Sequence, residues 1–195
     1  TTDTTQIEGI TDFAVATYTS NADDTVSVFL NQTVTASTTL AFSTRADFSN
    51  GNGVRSLAAA DIDLDGQIDL VTGDDFGRIG VFTNMTVDGA AAPDFLTRVD
   101  VATAGGSAQA VGDVNGDGKP DVVVGRQDGT GVEVFLNLTP APNSVITFSS
   151  AFPFTTNGSV GVALGDLNSD GKPDLVVAAG NNGGWVSVLF NETPT

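Results

Sequence analysis

Nine-residue acidic loops recur along the chain: DIDLDGQID from Asp61, DVNGDGKPD from Asp113 and DLNSDGKPD from Asp166, starting 52 and then 53 residues apart. A second mark keeps the same period. Alternating apolar runs end in Asn at Val26 to Asn31, Ile79 to Asn84, Val132 to Asn137 and Val186 to Asn191, and these Asn positions step by 53, 53 and 54. A third mark follows each loop as a β-branched run, at Ile68, Asp121 and Asp174, with DFAVATY from Asp12 as its counterpart in the first unit. Internal repetition of this kind constrains a fold more than composition does. It divides the chain into one repeat domain, 1–195, of four units at about 1–48, 49–101, 102–154 and 155–195. Counting back from Asp12 puts Thr4, Gln6, Glu8 and Gly9 where the other loops carry their first three oxygen-bearing side chains and their glycine. The first loop is therefore degenerate and is expected to be metal-free.

Each full unit reads as four strands. In the third, AQAVGDV leads into the loop, DVVVG follows, then VEVFLN with period-two alternation, then VITFSSAFPF, with Gly, Asn and Pro at the junctions. No helical period of useful length occurs. Four short antiparallel strands repeated at this spacing predict an all-β fold, a β-propeller whose blades bury their faces against one another. A β-sandwich is the competing architecture, but it does not require such regular repetition. The first unit lacks its first strand and the last ends after its third, so the strands run three, four, four, three. That count predicts a partial propeller with flanking blades, or a protomer that completes its sheet edges by self-association.

Composition narrows the function. The chain has 24 acidic against 7 basic residues, a formal charge of -17, which repels nucleic acid and anionic lipid and favours cations. No Cys and no His are present, which removes disulfides, thiolate chemistry, imidazole metal sites and every His-dependent triad. No apolar run approaches the roughly 20 residues of a membrane helix, so no membrane insertion is expected.

Nearly all the acid is Asp, and in a DxDxDGxxD pattern the first, third and fifth side chains converge when the glycine at position six lets the backbone turn. With a position-seven carbonyl and a position-nine carboxylate they offer about six or seven oxygens, a shell suited to Ca²⁺. The candidate ligands are Asp61, Asp63, Asp65, the Gln67 carbonyl and Asp69; Asp113, Asn115, Asp117, the Lys119 carbonyl and Asp121; and Asp166, Asn168, Asp170, the Lys172 carbonyl and Asp174. Three Ca²⁺ sites are expected. An EF-hand is excluded, since position twelve holds Thr72, Val124 and Val177 instead of a bidentate acid. Ordinary Asp/Asn/Gly hairpin turns use the same residues, but three copies in register, each crowding carboxylates that repel without a cation between them, favour the metal.

The loops DVNGDGKPD and DLNSDGKPD, followed by DVVV or DLVV and then VFLN or VLFN, resemble FG-GAP/VCBS repeats. The similarity covers nearly the whole chain. That family forms the β-propeller of integrin α-chains and of many bacterial extracellular and surface proteins. The resemblance implies blades whose Ca²⁺ loop joins the first and second strands, and an extracellular or cell-surface location.

Asn31, Asn84, Asn137 and Asn191 each begin an N-x-T sequon. Their recurrence at one strand end assigns them a turn or edge-capping role ahead of glycan attachment. Phe29, Phe82, Phe135 and Leu189 share one position of the third strand and are expected in the core between blades. With one Trp and one Tyr, an aromatic sugar-binding face is weakly supported. The acids outside the loops, Asp74, Asp75, Asp94, Asp100, Asp128 and Glu133, show no spacing that singles out a catalytic pair. The expected function is a non-catalytic module that binds a protein or polysaccharide ligand. The alternative is an ancillary propeller region of a secreted carbohydrate-active or phosphodiesterase enzyme.

Overall fold

The computed structural model describes residues 11–19, 24–34, 37–51, 53–87, 89–102, 106, 109–126, 128–180 and 184–194. Among them are fourteen strands and no helix, so none long and apolar enough to cross a membrane. The strands form four antiparallel sheets of three, four, four and three, in chain order, and no sheet closes on itself. The first sheet is β1 (Phe13–Thr17), β2 (Asp24–Phe29) and β3 (Ala46–Gly51). The second is β4 (Val54–Ala60), β5 (Asp69–Asp74), β6 (Arg78–Phe82) and β7 (Val99–Ala102). The third is β8 (Gln109–Gly112), β9 (Asp121–Gly125), β10 (Gly131–Phe135) and β11 (Phe152–Thr155); the fourth is β12 (Gly161–Gly165), β13 (Asp174–Ala179) and β14 (Trp185–Leu189). Each sheet is one blade, ordered as a simple meander. The expected strand count holds, and the fourth strands run slightly past the unit bounds drawn from sequence, to Gly51, Ala102 and Thr155. The Thr4, Gln6, Glu8 and Gly9 positions lie outside the described residues.

Burial explains why the repeat folds as stacked blades. Strands β5, β9 and β10 are buried along their whole length, because a neighbouring blade covers each of their faces. A continuous apolar run suits such a strand better than alternation does. Blades one and two meet through Val26, Val28, Leu70 and Phe82. Blades two and three meet through Ile62, Val71, Ile79, Val81, Val122, Val124, Phe135 and Ile146, and blades three and four through Val123, Val132, Val134, Leu175 and Val177. Removing one such Val or Ile side chain from water contributes about 1.5–3 kcal/mol. Phe82 and Phe135 are buried as expected, while Phe29 and Leu189, on the end blades, are half-buried.

In blades one to three the chain leaves the third strand through its Asn, which forms an isolated antiparallel bridge to a Phe eleven residues on: Asn31 to Phe42, Asn84 to Phe95 and Asn137 to Phe148. In the second and third blades the Phe then packs inward. Phe95 meets Phe48 of the first blade edge to face at 5.0 Å between centroids, and Phe148 lies against the core between blades two and three.

Candidate metal centre

All three acidic loops join the first and second strands of their blades, between β4 and β5, β8 and β9, and β12 and β13. They fold alike because the same side chains capture the same backbone N–H groups. In the second blade Asp61 accepts from Asp65 N–H at 3.0 Å and from Gly66 N–H at 2.9 Å, and Asp65 accepts from Gln67 N–H at 2.8 Å. In the third, Asp113 accepts from Gly116, Asp117 and Gly118, and Asp117 from Lys119. In the fourth, Asp166 accepts from Asp170 and Gly171, and Asp170 from Lys172. The third-position side chains Asp63, Asn115 and Asn168 each accept from the N–H of the fifth residue, at 3.0 to 3.2 Å. Side chains one, three and five are thereby folded over one centre.

Two backbone positions make the turn. Gly66, Gly118 and Gly171 at position six have φ of 93°, 84° and 84°. Position four is left-handed as well, at Leu64 (φ 65°), Gly116 (78°) and Ser169 (63°). Sequence reasoning missed this second requirement, and Gly116 was its one visible signal. A non-glycine residue there costs about 1–2 kcal/mol.

Asp61, Asp63 and Asp65 place one carboxylate oxygen each within 4.8 Å of one another. Burial, and then the charges of Asp65 and Asp61, push the Asp63 carboxyl above its ordinary range. In the other two loops the third position is Asn, and its amide donates to the fifth residue, Asn115 to Asp117 at 3.2 Å and Asn168 to Asp170 at 3.1 Å.

The position-nine carboxylates do something further. Asp69, Asp121 and Asp174 are fully buried and accept backbone N–H groups on both oxygens. One oxygen takes the N–H of loop residue two, from Ile62, Val114 or Leu167; the other takes the N–H of Asn84, Asn137 or Asn191. Asp12 caps Asn31 N–H in the same way at 2.6 Å in the blade whose loop is degenerate. The ninth acid therefore fastens the loop to the third strand. Burial drives Asp69 up to about 6 and raises Asp121.

The strand-end Asn residues extend the connection across blades. Asn137 donates its amide to the Ile62 carbonyl at 2.8 Å and Asn191 to the Val114 carbonyl at 2.7 Å, so each reaches the acidic loop of the preceding blade. Their Oδ1 atoms accept from Thr139 and Thr193 N–H two residues on. This is the capping role expected of them.

The charged side chains divide by location. Arg45, Arg55, Arg78, Arg98 and Arg126 pair with Asp47, Asp75, Asp74, Asp100, Asp128 and Glu133, all outside the loops. Lys119 and Lys172 lie within the loops, yet their ammonium groups donate to the Thr139 and Thr193 carbonyls. Among the described residues no loop carboxylate forms an ion pair. The donor set fits a hard dication: clustered carboxylate and amide oxygens on a preformed turn, with no cation of the protein's own between them.

Residues 8–72 and 113–177, together two thirds of the chain, match the family described as FG-GAP-like repeat. The chain belongs to that family. Both matched stretches end in a strand that follows an acidic loop, and between them they contain all three loops. This FG-GAP repeat chain is thus an all-β, propeller-like module with an Asp triad in its second blade. Comparison of the sequence with curated proteins returned no match.

Proposed function

We propose that this FG-GAP repeat module binds Ca²⁺ at three loops and acts outside the cell, or on its surface, as a non-catalytic module for a protein or polysaccharide ligand. The observation that carries the calcium reading is the charge separation: every Arg is engaged by an acid outside the loops, which leaves the loop carboxylates clustered without a cationic partner. Asp61, Asp63 and Asp65, Asp113, Asn115 and Asp117, and Asp166, Asn168 and Asp170 would hold the ions alongside the carbonyls of Gln67, Lys119 and Lys172 and the carboxylates of Asp69, Asp121 and Asp174. When bound, Ca²⁺ supplies charge neutralisation and rigidity. The position-nine acids hold the loop to the third strand, and the Asn tie carries that order to the next blade.

The non-catalytic reading draws on the same pairing. Asp74, Asp75, Asp100, Asp128 and Glu133, acids outside the loops, are held by Arg side chains, which makes them poor candidates for acid and base roles. Family membership supports the extracellular setting.

Calorimetry on the chelator-stripped protein tests the metal assignment. Three equivalents of Ca²⁺ are expected, the loop at Asp61 binding most tightly because its position-three ligand is a carboxylate in place of Asn. No uptake, or saturation at one equivalent, overturns it.

A further inference from the structure

An unbroken series of hydrogen bonds joins the three acidic loops to one another. Asp174 of the fourth blade accepts the Asn191 N–H at 2.9 Å, and the Asn191 amide donates to the Val114 carbonyl in the third-blade loop at 2.7 Å. Val114 N–H donates to one Asp121 oxygen at 2.9 Å, and the other oxygen accepts the Asn137 N–H at 2.8 Å. The Asn137 amide then donates to the Ile62 carbonyl in the second-blade loop, and Ile62 N–H to Asp69, both at 2.8 Å. At the second blade the series turns back on itself. Asp69 accepts the Asn84 N–H, and the Asn84 amide donates to the Ile68 carbonyl of its own loop.

Ile62 and Val114 hold position two of their loops, between the first and third candidate ligands, and Asp121 and Asp174 hold position nine of theirs. Whatever fixes Asp121 therefore fixes Asn137, and Asn137 in turn holds the backbone between Asp61 and Asp63. Ile62, Asp69, Asp121 and Asn137 are fully buried, so no water replaces the Asn137 bond when it opens. Between the third and fourth blades Val114 and Asn191 are only half-buried, and water competes there.

We infer, resting on the calcium reading above, that the three loops bind Ca²⁺ cooperatively, each ion tightening the neighbouring loop through the strand-end Asn that joins them. A loop is either closed over its centre or open, and an ion selects the closed state. Closing one loop holds the Asn whose amide closes the next, so the second ion meets a loop already ordered and loses less entropy on binding. The coupling is reciprocal: the second-blade loop favours the third as much as the third favours the second. One amide–carbonyl hydrogen bond per junction sets its size at about five- to tenfold in affinity, larger at the buried junction of blades two and three.

The test uses the intact, chelator-stripped protein and Ca²⁺ alone. Amide exchange at residues 61–69, 113–121 and 166–174, followed against free Ca²⁺, reads the affinity of each loop separately. Asp117→Ala, which empties the third-blade loop, is expected to weaken the second-blade loop about tenfold and the fourth about fivefold. Asn137→Ala keeps its N–H on Asp121 and loses the amide on Ile62. In that background, emptying the third-blade loop should leave the second unchanged and still weaken the fourth. Asn191→Ala, at a half-buried residue and so less costly to the fold, should do the converse. Asn84→Ala, whose amide stays within its own blade, should preserve both effects. Unchanged affinities of the second and fourth loops in Asp117→Ala, with three equivalents bound by the parent protein, overturn the coupling and leave the calcium reading standing. No uptake by the parent overturns both. Weakening that persists undiminished in Asn137→Ala and Asn191→Ala also overturns the coupling, since the Asn ties would not be what carries it.

Discussion

Position four of the acidic loop shows how one residue sets the cost of a turn. Leu64, Gly116 and Ser169 are all left-handed there, and only the glycine adopts that conformation without strain. Ser169 is exposed, so Ser169→Gly relieves strain while losing no packing. Allowing for the greater freedom of glycine in the unfolded chain, it should stabilise the protein by about 0.5–1 kcal/mol. Gly116→Ser should cost a similar amount, and both are read from urea unfolding. The buried carboxylates give a second prediction. Asp69 sits at about 6 because burial disfavours its charge, against an ordinary 3.8, and Asp63 and Asp121 shift the same way. A carboxyl raised on folding contributes stability that is complete below the unfolded value and is lost as pH rises through the folded one. In chelator, stability should therefore fall between about pH 4 and 6, by about 3 kcal/mol from Asp69 alone. Two groups act oppositely. Asp24, where hydrogen bonds from Thr19, Val54 and Gly53 outweigh burial, and Asp128, held down by Arg126, lose their contribution only below 3.8. Stability should thus peak near pH 4 in the metal-free protein, and equal urea midpoints at pH 4.5 and 7 would show that the carboxylates are not desolvated.

At the scale of the element, the Asn that ends each third strand does three tasks with one side chain and its N–H. Asn137 is fully buried, caps Thr139, donates its N–H to Asp121 and reaches Ile62 in the preceding blade. Asn137→Ala leaves the Ile62 carbonyl and the Thr139 N–H without those partners, at an expected cost of about 2–3 kcal/mol. Asn84→Ala removes bonds to Ile68 and Thr86 from a half-buried residue, and a cost of about 1 kcal/mol is expected. Thermal unfolding of the pair measures the difference, and equal losses would mean that the tie between blades carries no energy. Strand patterning of these elements was readable from the sequence because the apolar runs recur. The tie was not, since residues 62 and 137 are 75 apart and no local pattern joins them.

Over the whole molecule, charge is sorted: Arg–carboxylate pairs lie outside the loops, and the acidic loops keep their charge. Three Ca²⁺ ions would add six charges and take the formal value from -17 to -11. An ion that binds the folded loop and not the unfolded chain stabilises by mass action, about 2.7 kcal/mol per site at 100 times its dissociation constant. Chelator should accordingly lower the melting temperature by several degrees at moderate salt. Asp117→Ala should remove the share of its own blade while the loops at Asp61 and Asp166 still bind. An unchanged melting temperature on chelation would make the loops ordinary turns.

The repeat period, the four units, the strand number, the converging side chains at loop positions one, three and five, and the Asn caps were all legible in the sequence. Each depends on local spacing and on what side chains can do within a turn. Tertiary structure alone decided the rest. It turned the ninth acid into a buried fastening between loop and third strand, because that requires two strands to lie side by side. It left β14 and Phe190 exposed while the same positions in blades two and three are covered, because burial depends on the next element in space and not on the residue. It also assigned each Arg its acid, and so determined which carboxylates remain free to meet a cation.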